Sequence, residues 1–430
     1  MQLRWSLLSK LHEEAARVLE YSVKALLRYP LCDRCLGRLF ARLGKGLDNS
    51  ERGKALKTLI AMIAERGGLN EDEVKALLTN AGLPLREMGT TATKCYICGS
   101  TLDNLLEQLA SRAIEAVKAL KPEVGRFLVC VKSGSQMEKR ESEVVGLLGL
   151  DTWESVRREV KRYVGKAVAK VLDLTPDFRN PDIYVVVDID GGDVSVKLAP
   201  LIVAGRYVKV GRYISQMPWL RRDGSRKYKL SIYDTCYKVV EISKGSKLVI
   251  HASGREGADF RMLGNGRPIA LEVKEPRARS TALSTLKELA EPPWIYVELD
   301  KTTSRSFVRL IKASHSAKVY RIVALSRERL SSEDLAKLEI FFRDIVVVQR
   351  TPTRVLKRKK DTVRRRRVYG VSAMLHSPYL LEALVRSDGG LYIKELVSGD
   401  GGRTTPSFSE VLGKELKPVF LDVLEVELKL

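Results

Sequence analysis

Residues 254–273 read GREGADFRMLGNGRPIALEV, and this stretch constrains both the fold and the function. Four glycines lie within its first thirteen residues, which favours tight turns over regular helix or strand. From about residue 231 to the end of the chain strand patterns dominate, and helices are predicted near residues 282–289 and 332–341. The stretch is therefore predicted to be a loop within a strand-rich C-terminal domain.

The amino-acid composition and net charge of the chain narrow the classes of molecule that it can bind. The chain has 430 residues, 44% of them hydrophobic, and this length suggests two to four domains of roughly 100 to 200 residues each. Lys and Arg number 75 against 53 Asp and Glu, and the net charge of +22 favours nucleic acid or an anionic membrane surface as partner. The chain has no run of about 18 apolar residues, which argues against a spanning helix or a signal peptide. We expect a soluble, cytoplasmic protein.

Four of the six cysteines form two C-x-x-C pairs, whose members are Cys32, Cys35, Cys95 and Cys98. Two such pairs suit tetrahedral Zn²⁺, because each pair places two sulfurs on one side of the metal. Disulfides are the alternative, but they are rare in intracellular proteins. Four cysteine ligands leave no open coordination position, so the predicted zinc is structural. Cys130 and Cys236 stand alone in apolar surroundings and are predicted to be buried.

Three domains are predicted from the order of patterns along the chain. Residues 1–100 are read as a helical, zinc-stapled domain, with a first amphipathic helix that ends before Pro30 and helix stops at Gly67, Gly68 and Gly82. Residues 101–222 alternate between helix and strand patterns, as in a mixed α/β module. Residues 223–430 form the strand-rich domain. The predicted fold class is α+β.

The densest positive charge lies in residues 357–367, where eight of eleven side chains are basic. These residues are Lys357, Arg358, Lys359, Lys360, Arg364, Arg365, Arg366 and Arg367. A solvated charged loop is the simpler interpretation. The overall positive charge of the chain favours phosphate binding instead.

The sequence lacks the usual catalytic sets. Its four histidines have no metal-ligand or triad spacing, and it contains no G-x-x-x-x-G-K-[ST] loop. We therefore expect no nucleotide cofactor and no catalytic metal.

Six motifs spread over nearly the whole chain carry a resemblance to a known family; they are CDRCLGRLFARLGKG, PLIVAGRYVKVGRYISQMPW, SGREGADFRMLGNGRP, SAKVYRIVALS, RTPTRVLKRKK and GLYIKELVSGDGGRT. In these motifs the chain resembles the archaeal and eukaryotic tRNA pseudouridine synthases that modify uridines 54 and 55 of the T-loop. The resemblance implies that the middle module is an RNA-binding THUMP domain and that the C-terminal domain has the mixed-sheet pseudouridine synthase fold. It also implies binding to the T-loop and T-stem of tRNA.

The reaction isomerises uridine by cleaving the C1′–N1 bond, rotating the uracil and joining C5 to C1′. It needs a carboxylate at the sugar, an aromatic ring against the extruded base and a cation beside the carboxylate. By resemblance, Arg255 enters the space left by the flipped base, Tyr320 stacks on the base, Tyr392 is a second substrate-binding tyrosine, and Lys394 pairs with the carboxylate.

The expected acid is missing from its place. The family pattern is G-R-E-D-x-D-x-R with the first Asp catalytic, and Gly257 occupies that position here. Asp259 matches the second Asp and is the candidate substitute, although residues two apart in an extended segment stand about 6 to 7 Å from each other. A second departure is Leu391, where the family has Thr. The sequence leaves open an active synthase that uses Asp259 and an inactive relative that binds or chaperones tRNA.

Overall fold

The structure is a computed structural model that describes residues 2–64, 69–83, 93–120, 123–279, 288–313, 316–357 and 359–427. The chain divides into two compact units, Met1–Lys197 and Leu198–Leu430. Residues 1–197 form one unit, so the predicted boundary near residue 100 does not separate two compact bodies. In the described part of the chain, no helix combines the length and apolarity needed to cross a membrane.

The N-terminal part of the first unit is helical, as predicted. Its helices are α1 (Gln2–Arg28), α2 (Asp33–Leu39), α3 (Asn49–Ile63) and α4 (Glu71–Ala81). Both α3 and α4 begin at capping boxes, in which Asp48 with Glu51, and Asn70 with Glu73, satisfy each other's free backbone N–H groups. The helix stop predicted at Gly82 is confirmed by its positive φ of 68°. Gly67 and Gly68 lie outside the described residues.

The rest of the first unit is a mixed α/β module. Its helices are α5 (Leu102–Leu120), α6 (Gln136–Leu148) and α7 (Val156–Leu172). Its strands are β1 (Arg126–Val131), β2 (Thr175–Pro176), β3 (Ile183–Asp188) and β4 (Asp193–Leu198), in the sheet order β2-β1-β3-β4. Helix α7 buries valines every four residues, at Val156, Val160, Val164 and Val168, and packs against α5 and β1. Cys130, which was predicted to be buried, is only half-buried on β1.

The second unit is built around a mixed sheet. Its strands, in chain order, are β5 (Leu201–Lys209), β6 (Lys247–Ala252), β7 (Arg261–Lys274), β8 (Glu288–Glu291), β9 (Ile295–Thr302), β10 (Lys318–Ser326), β11 (Ile345–Arg350), β12 (Val363–Ser377), β13 (Leu380–Ser387), β14 (Thr404–Thr405) and β15 (Leu416–Val426). The sheet order is β14-β11-β12-β13-β10-β15-β7-β5-β9-β8, with β6 paired to β7. The stretch 254–273 was predicted to be a loop, but it is one only up to Phe260. Strand β7 begins at Arg261 and includes Gly264 and Gly266.

Five helices accompany this sheet in the described part of the second unit. They are α8 (Ile232–Ile242), α9 (Arg305–Ala313), α10 (Ser332–Phe341), α11 (Ile393–Ser398) and α12 (Phe408–Leu412). The helix predicted at residues 332–341 is confirmed. The helix predicted near residues 282–289 is wrong at its end, since Glu288 and Leu289 pair with β9, and residues 282–287 lie outside the described residues. Cys236 is buried in α8, as predicted.

Strand β5 places the domain boundary earlier than predicted. The sequence assigned residues 201–209 to the middle module, but β5 pairs with β7 and β9 in the second sheet. The physical reason is that the alternation of residues identifies a strand without identifying the sheet that it joins. The predicted boundary at residue 222 therefore lies inside the second unit, which begins at Leu198.

Candidate active site and metal centre

Glu256 fixes the loop that precedes β7. Its side chain is only 1% exposed, and its carboxylate accepts hydrogen bonds from Arg267 Nε at 2.9 Å and from the Tyr207 hydroxyl at 2.8 Å. Lys209 Nζ lies 3.4 Å from the same carboxylate. Burial alone raises the pKa of Glu256, but Arg267 and Lys209 outweigh it and hold the pKa below its ordinary value. Glu256 is thus an ionised, fully engaged anchor that is not available to a substrate.

The same buried cations hold the backbone of the loop. Arg267 Nη1 donates to the Ser253 carbonyl at 2.6 Å, and Lys209 Nζ donates to the Gly257 carbonyl at 3.0 Å. Arg212 Nη1 donates to the Asp259 carbonyl at 2.8 Å. Three carbonyls on seven consecutive residues are therefore fixed by cations of neighbouring segments. This support restricts where the side chain of Asp259 can lie.

Asp259 meets Lys394. The distance from Asp259 Oδ2 to Lys394 Nζ is 2.7 Å, and the Asp259 side chain remains 48% exposed. Burial by itself raises the pKa of Asp259, but the hydrogen bond and charge of Lys394 dominate, so that the pKa lies below its ordinary value. The ammonium of Lys394 also stands 4.8 Å from the centre of the Phe260 ring. The pair provides an ionised carboxylate that solvent can reach.

The loop turns between Gly257 and Phe260, and this changes the expected spacing. Phe260 N donates to the Gly257 carbonyl at 3.1 Å, so the segment is not extended. A Cβ atom on Gly257 would stand 2.6 Å from Asp259 Oδ1. The separation of about 6 to 7 Å applies to an extended segment and does not describe this turn. The Asp259 carboxylate already occupies the space into which a side chain at position 257 would project.

The buried side-chain amide of Gln349 positions the start of the helix that carries Lys394. Gln349 is fully buried on β11, and it accepts a hydrogen bond from Tyr392 N at 2.8 Å and donates one to the Tyr392 carbonyl at 2.9 Å. These bonds fix Tyr392, the N-cap residue of α11, two positions before Lys394. Leu391 is buried in the core, and the pairing of Lys394 with Asp259 is made despite this departure from the family pattern.

A second cation lies behind the pair. Glu395, which is 5% exposed, accepts from Arg354 Nε at 2.7 Å. The positive charge of Arg354 also contributes to the lowered pKa of Asp259. Arg354 thus adds positive potential at the carboxylate without binding it directly.

The two predicted tyrosines differ in their surroundings. Tyr320 lies on β10, is 8% exposed, and has a pKa that burial raises to about 12. The ring of Tyr392 is half-buried, with the guanidinium of Arg364 centred 4.6 Å from the ring centroid and Lys359 Nζ at 5.9 Å. Arg255 is exposed and, within the described part of the chain, forms no hydrogen bond or ion pair.

The basic run is only partly a loop. Arg364 to Arg367 lie on β12, paired with β11, and their side chains alternate between half-buried and exposed. Arg364 Nη1 and Arg366 Nε donate to the carbonyls of Gly390 and Gly389, at 3.2 and 3.1 Å. The half-buried arginines therefore support the segment that leads to Tyr392 and Lys394. Arg358 lies outside the described residues.

The four predicted metal ligands converge. The sulfur atoms of Cys32, Cys35, Cys95 and Cys98 all lie within 4.8 Å of one another. The distance from Cys32 to Cys98 is 3.6 Å, which is too long for a disulfide of about 2.05 Å. A tetrahedral ion with Zn–S bonds of about 2.3 Å requires sulfur separations of about 3.8 Å. The donor set and its spacing therefore fit a tetrahedral metal ion.

Arg38 joins this cluster to the α/β module of the same unit. Its side chain is 1% exposed, and Nη2 lies 3.6 Å from Cys35 Sγ. The guanidinium forms ion pairs with Glu141 on α6 and with Glu159 on α7. The charge of Arg38 acts to lower the pKa of the Cys35 thiol, but the neighbouring thiols and burial outweigh it and raise that pKa.

Sequence reasoning missed the residues that support the site. These are Lys209, Glu256, Arg267, Gln349 and Arg354. Except for Gln349, each lies within a motif that carried the family resemblance, and this was the available signal. Their pairing could not be read from the sequence, because each partner comes from a different strand or loop.

Two family profiles match the chain. The profile described as Pus10, C-terminal, matches residues 202–427, and the profile described as Pus10 THUMP domain, archaeal, matches residues 109–188. The tRNA pseudouridine synthase Pus10 of Thermosphaera aggregans is 40% identical over 96% of this chain and 97% of its own length. That of Ignisphaera aggregans is 36% identical over 92% and 95%. A solved Cbf5-Nop10-Gar1 complex matches 52% of this chain and 48% of its own at 13% identity, with a TM-score of 0.30.

Proposed function

The chain belongs to the Pus10 family, and we propose that it is a tRNA pseudouridine synthase whose acting carboxylate is that of Asp259. The observation that carries this proposal is the 2.7 Å pair between Asp259 and Lys394, with the Asp259 side chain still 48% exposed. A carboxylate that attacks or deprotonates a sugar must be ionised and accessible. Glu256, the other acid of the loop, is excluded by its burial and its three partners.

The turn at Gly257 supports an active enzyme over the inactive alternative. The sequence made Asp259 a displaced substitute because an extended loop would set it too far from position 257. In the turn, the Asp259 carboxylate oxygen is 2.6 Å from the Cβ position of residue 257. The glycine leaves room for this arrangement, because a Cβ atom at position 257 would require Asp259 Oδ1 to shift. The loss of Asp at position 257 and the use of Asp259 are therefore compatible.

The mechanism follows from these positions. Asp259 acts on the ribose of the target uridine, as nucleophile at C1′ or as base at C2′, and Lys394 keeps it ionised and oriented. Tyr320 packs against the extruded uracil, and Tyr392, backed by Arg364, contacts the substrate nearby. Arg255 is free to enter the space that the flipped base leaves. The C1′–N1 bond breaks, C5 bonds to C1′, C5 loses a proton and N1 gains one.

We assign the substrate as the T-loop and T-stem of tRNA, with uridine 54 or 55 as target. The matched THUMP profile, the net charge of +22 and the exposed basic residues near the active site support binding to folded RNA. The cytoplasmic location predicted from the sequence stays a prediction.

We further assign the metal ion as structural Zn²⁺ held by Cys32, Cys35, Cys95 and Cys98. Four cysteine donors with tetrahedral spacing suit zinc, and this donor set leaves no position for a substrate. The ion stabilises the N-terminal helices and takes no part in isomerisation.

Pseudouridine mapping on a tRNA transcript tests the function. The purified protein is incubated with an unmodified transcript, with transcripts carrying cytidine at position 54 or 55, and with no metal or cofactor added. We expect pseudouridine at one or both T-loop positions, lost when that position is cytidine. Transcript binding without pseudouridine at any position would contradict the proposal and support the inactive tRNA binder.

A further inference from the structure

Lys318 is a half-buried cation that the mechanism above does not use. It lies at the start of β10, two residues before Tyr320, and side chains two apart on a strand share a face. Within the described part of the chain, its ammonium has no hydrogen-bond or ion-pair partner. Arg321 of the same strand, by contrast, forms a bidentate pair with Glu382 at 2.7 and 2.8 Å. An ammonium removed from water without a partner is costly, which points to a ligand that arrives later.

The position of Lys318 joins it to the acid-bearing loop. Its Nζ lies 3.2 Å from where a Cβ atom on Gly254 would stand, and Gly254 has a positive φ of 78°. The positive φ favours glycine there, and the lack of a side chain leaves the lysine close to the loop backbone. Arg267, which binds Glu256 and Ser253 of this loop, acts electrostatically on both Lys318 and Tyr320. Lys318, Tyr320 and the loop therefore belong to one site.

We propose that Lys318 donates a hydrogen bond to a carbonyl oxygen of the uracil packed on Tyr320, and stabilises the negative charge that the base acquires as its glycosidic bond breaks. This inference rests on the proposed function. When C1′–N1 breaks, the electron pair of the bond passes to the uracil and is shared by N1 and the carbonyl oxygens. The sugar side of the break is met by Asp259. After C5 joins C1′, the C5 proton is lost and N1 is protonated. Lys318 therefore has the same protonation state at the end of the reaction as at its start.

The charges around Lys318 suit this role. Burial and the charge of Arg267 lower its pKa to about 8, against the opposing effect of Glu256. Its neighbours across the sheet, Ser387 on β13 and Val426 on β15, are uncharged. A weakly held proton makes a stronger hydrogen-bond donor to a developing anion. Because the protonated form is the active one, its contribution is full below pH 8 and falls as the pH rises through that value.

A phosphate contact is the competing role for an unpaired lysine, and a purely structural role is the other. A phosphate contact would change affinity and its salt dependence, whatever the leaving group. A structural role would change the rate by the same factor for every base. Stabilisation of the leaving base predicts a loss that depends on the base itself, because a base whose anion is already stable needs the lysine less.

The experiment measures single-turnover rates of Lys318→Met on tRNA transcripts containing uridine or 5-fluorouridine, following disappearance of the nucleoside by liquid chromatography with mass spectrometry, because the isomers have equal mass. 5-Fluorouridine has no C5 proton to lose, so its disappearance reports the steps up to formation of the C5–C1′ bond. Fluorine stabilises the departing anion. We expect about a hundredfold loss on uridine with unchanged tRNA affinity, as for removal of one donor to a developing charge, and a clearly smaller loss on 5-fluorouridine. Lys417→Met, at an exposed position of β15, is the matched control and should keep the wild-type rate.

Lys318→Arg gives a second test that does not depend on loss of the side chain. Arginine keeps its charge, so we expect activity near pH 7 and the disappearance of an alkaline limb near pH 8. Equal losses on the two substrates, a loss confined to affinity, or a wild-type rate for Lys318→Met would overturn the inference while leaving the proposed function intact. If the wild-type protein forms no pseudouridine, the proposed function fails, and this inference fails with it.

Discussion

The cysteine cluster and the acid loop were both predicted from short motifs, and only the first has the predicted geometry. The four cysteines converge although their two pairs are far apart in sequence. In the loop, the position expected to bear the acid holds Gly257, and the carboxylate beside Lys394 comes from Asp259. The difference reflects what each site needs. A metal site needs four particular donors, whereas a catalytic carboxylate needs only an oxygen at one point, and we propose that Asp259 supplies it here.

The largest expected effect is on the metal side of this comparison. Removal of the ion with a chelator, or Cys95→Ser, should unfold the N-terminal helices, since structural zinc contributes on the order of 10 kcal/mol to small metal-dependent folds. Far-UV circular dichroism and limited proteolysis measure the loss, and metal analysis should find about one zinc per chain. Cys130→Ser, outside the cluster, is the control and should retain the metal. If the metal-free protein kept its native helicity, the proposal that the cluster has a structural role would be contradicted.

Glu256→Ala should give the next largest effect. The change leaves Arg267, Lys209 and Tyr207 buried without their acceptor, and breaking a buried ion pair from one side costs about 3 to 5 kcal/mol. Denaturant unfolding measures this loss of the free energy of unfolding. Glu298 is exposed, so the control variant Glu298→Ala should have a free energy of unfolding within about 0.5 kcal/mol of the wild type.

The pH dependence of this contribution has a definite sign. The pKa of Glu256 is lower in the folded chain than its ordinary value of 4.5, so its stabilisation is present at neutral pH. It should be lost as the pH falls below 4.5 and through the folded-state pKa, and the stability difference between wild type and Glu256→Ala should shrink there. A difference independent of pH would contradict the assignment of an ionised Glu256.

Substitution of Gly257 addresses the acid loop directly. Gly257→Asp and Gly257→Ala should each lower the rate of pseudouridine formation about a hundredfold, because a Cβ atom there displaces Asp259 and misplacement of about 1 Å has this cost. Gly370→Ala, where an added Cβ meets nothing within 4 Å, is the control. A higher rate for Gly257→Asp would mean that position 257 is the proper place of the acid and that Asp259 is only its neighbour.

The smallest expected effect concerns RNA binding by the exposed basic residues. Replacing Lys357, Lys360 and Arg365 by Ala should reduce the slope of log affinity against log salt by about 2 to 3, since each phosphate contact contributes about 0.7 to 0.9. The maximal rate at saturating tRNA should not change. Replacing Lys312 and Lys337, two exposed lysines on α9 and α10, provides the comparison. An unchanged slope would identify the run as a solvated surface.

The sequence predicted those features that depend on the identity of single residues or on the local spacing of residues along the chain. The cysteine ligands, the helix stop at Gly82 and helix α10 are of this kind, and so is Lys394, by family resemblance. Features that depend on distant pairing were missed or misjudged. The sheet that β5 joins, the cluster around Glu256 and the strand at Arg364 depend on partners elsewhere in the chain. The tight turns that the glycines favoured include the one between Gly257 and Phe260, but the distance estimate for Asp259 assumed an extended segment, and a glycine permits both conformations.

The most direct test compares pseudouridine formation by the wild-type protein, Asp259→Asn and Lys394→Met on one T-loop transcript, with tRNA affinity measured in parallel. Asparagine keeps the shape of the side chain and removes its charge. We predict T-loop pseudouridine with the wild type, a fall of at least about a thousandfold with Asp259→Asn, and a smaller fall with Lys394→Met, all at unchanged affinity. An Asp259→Asn variant that forms pseudouridine at the wild-type rate would contradict the assignment of Asp259 as the acting carboxylate.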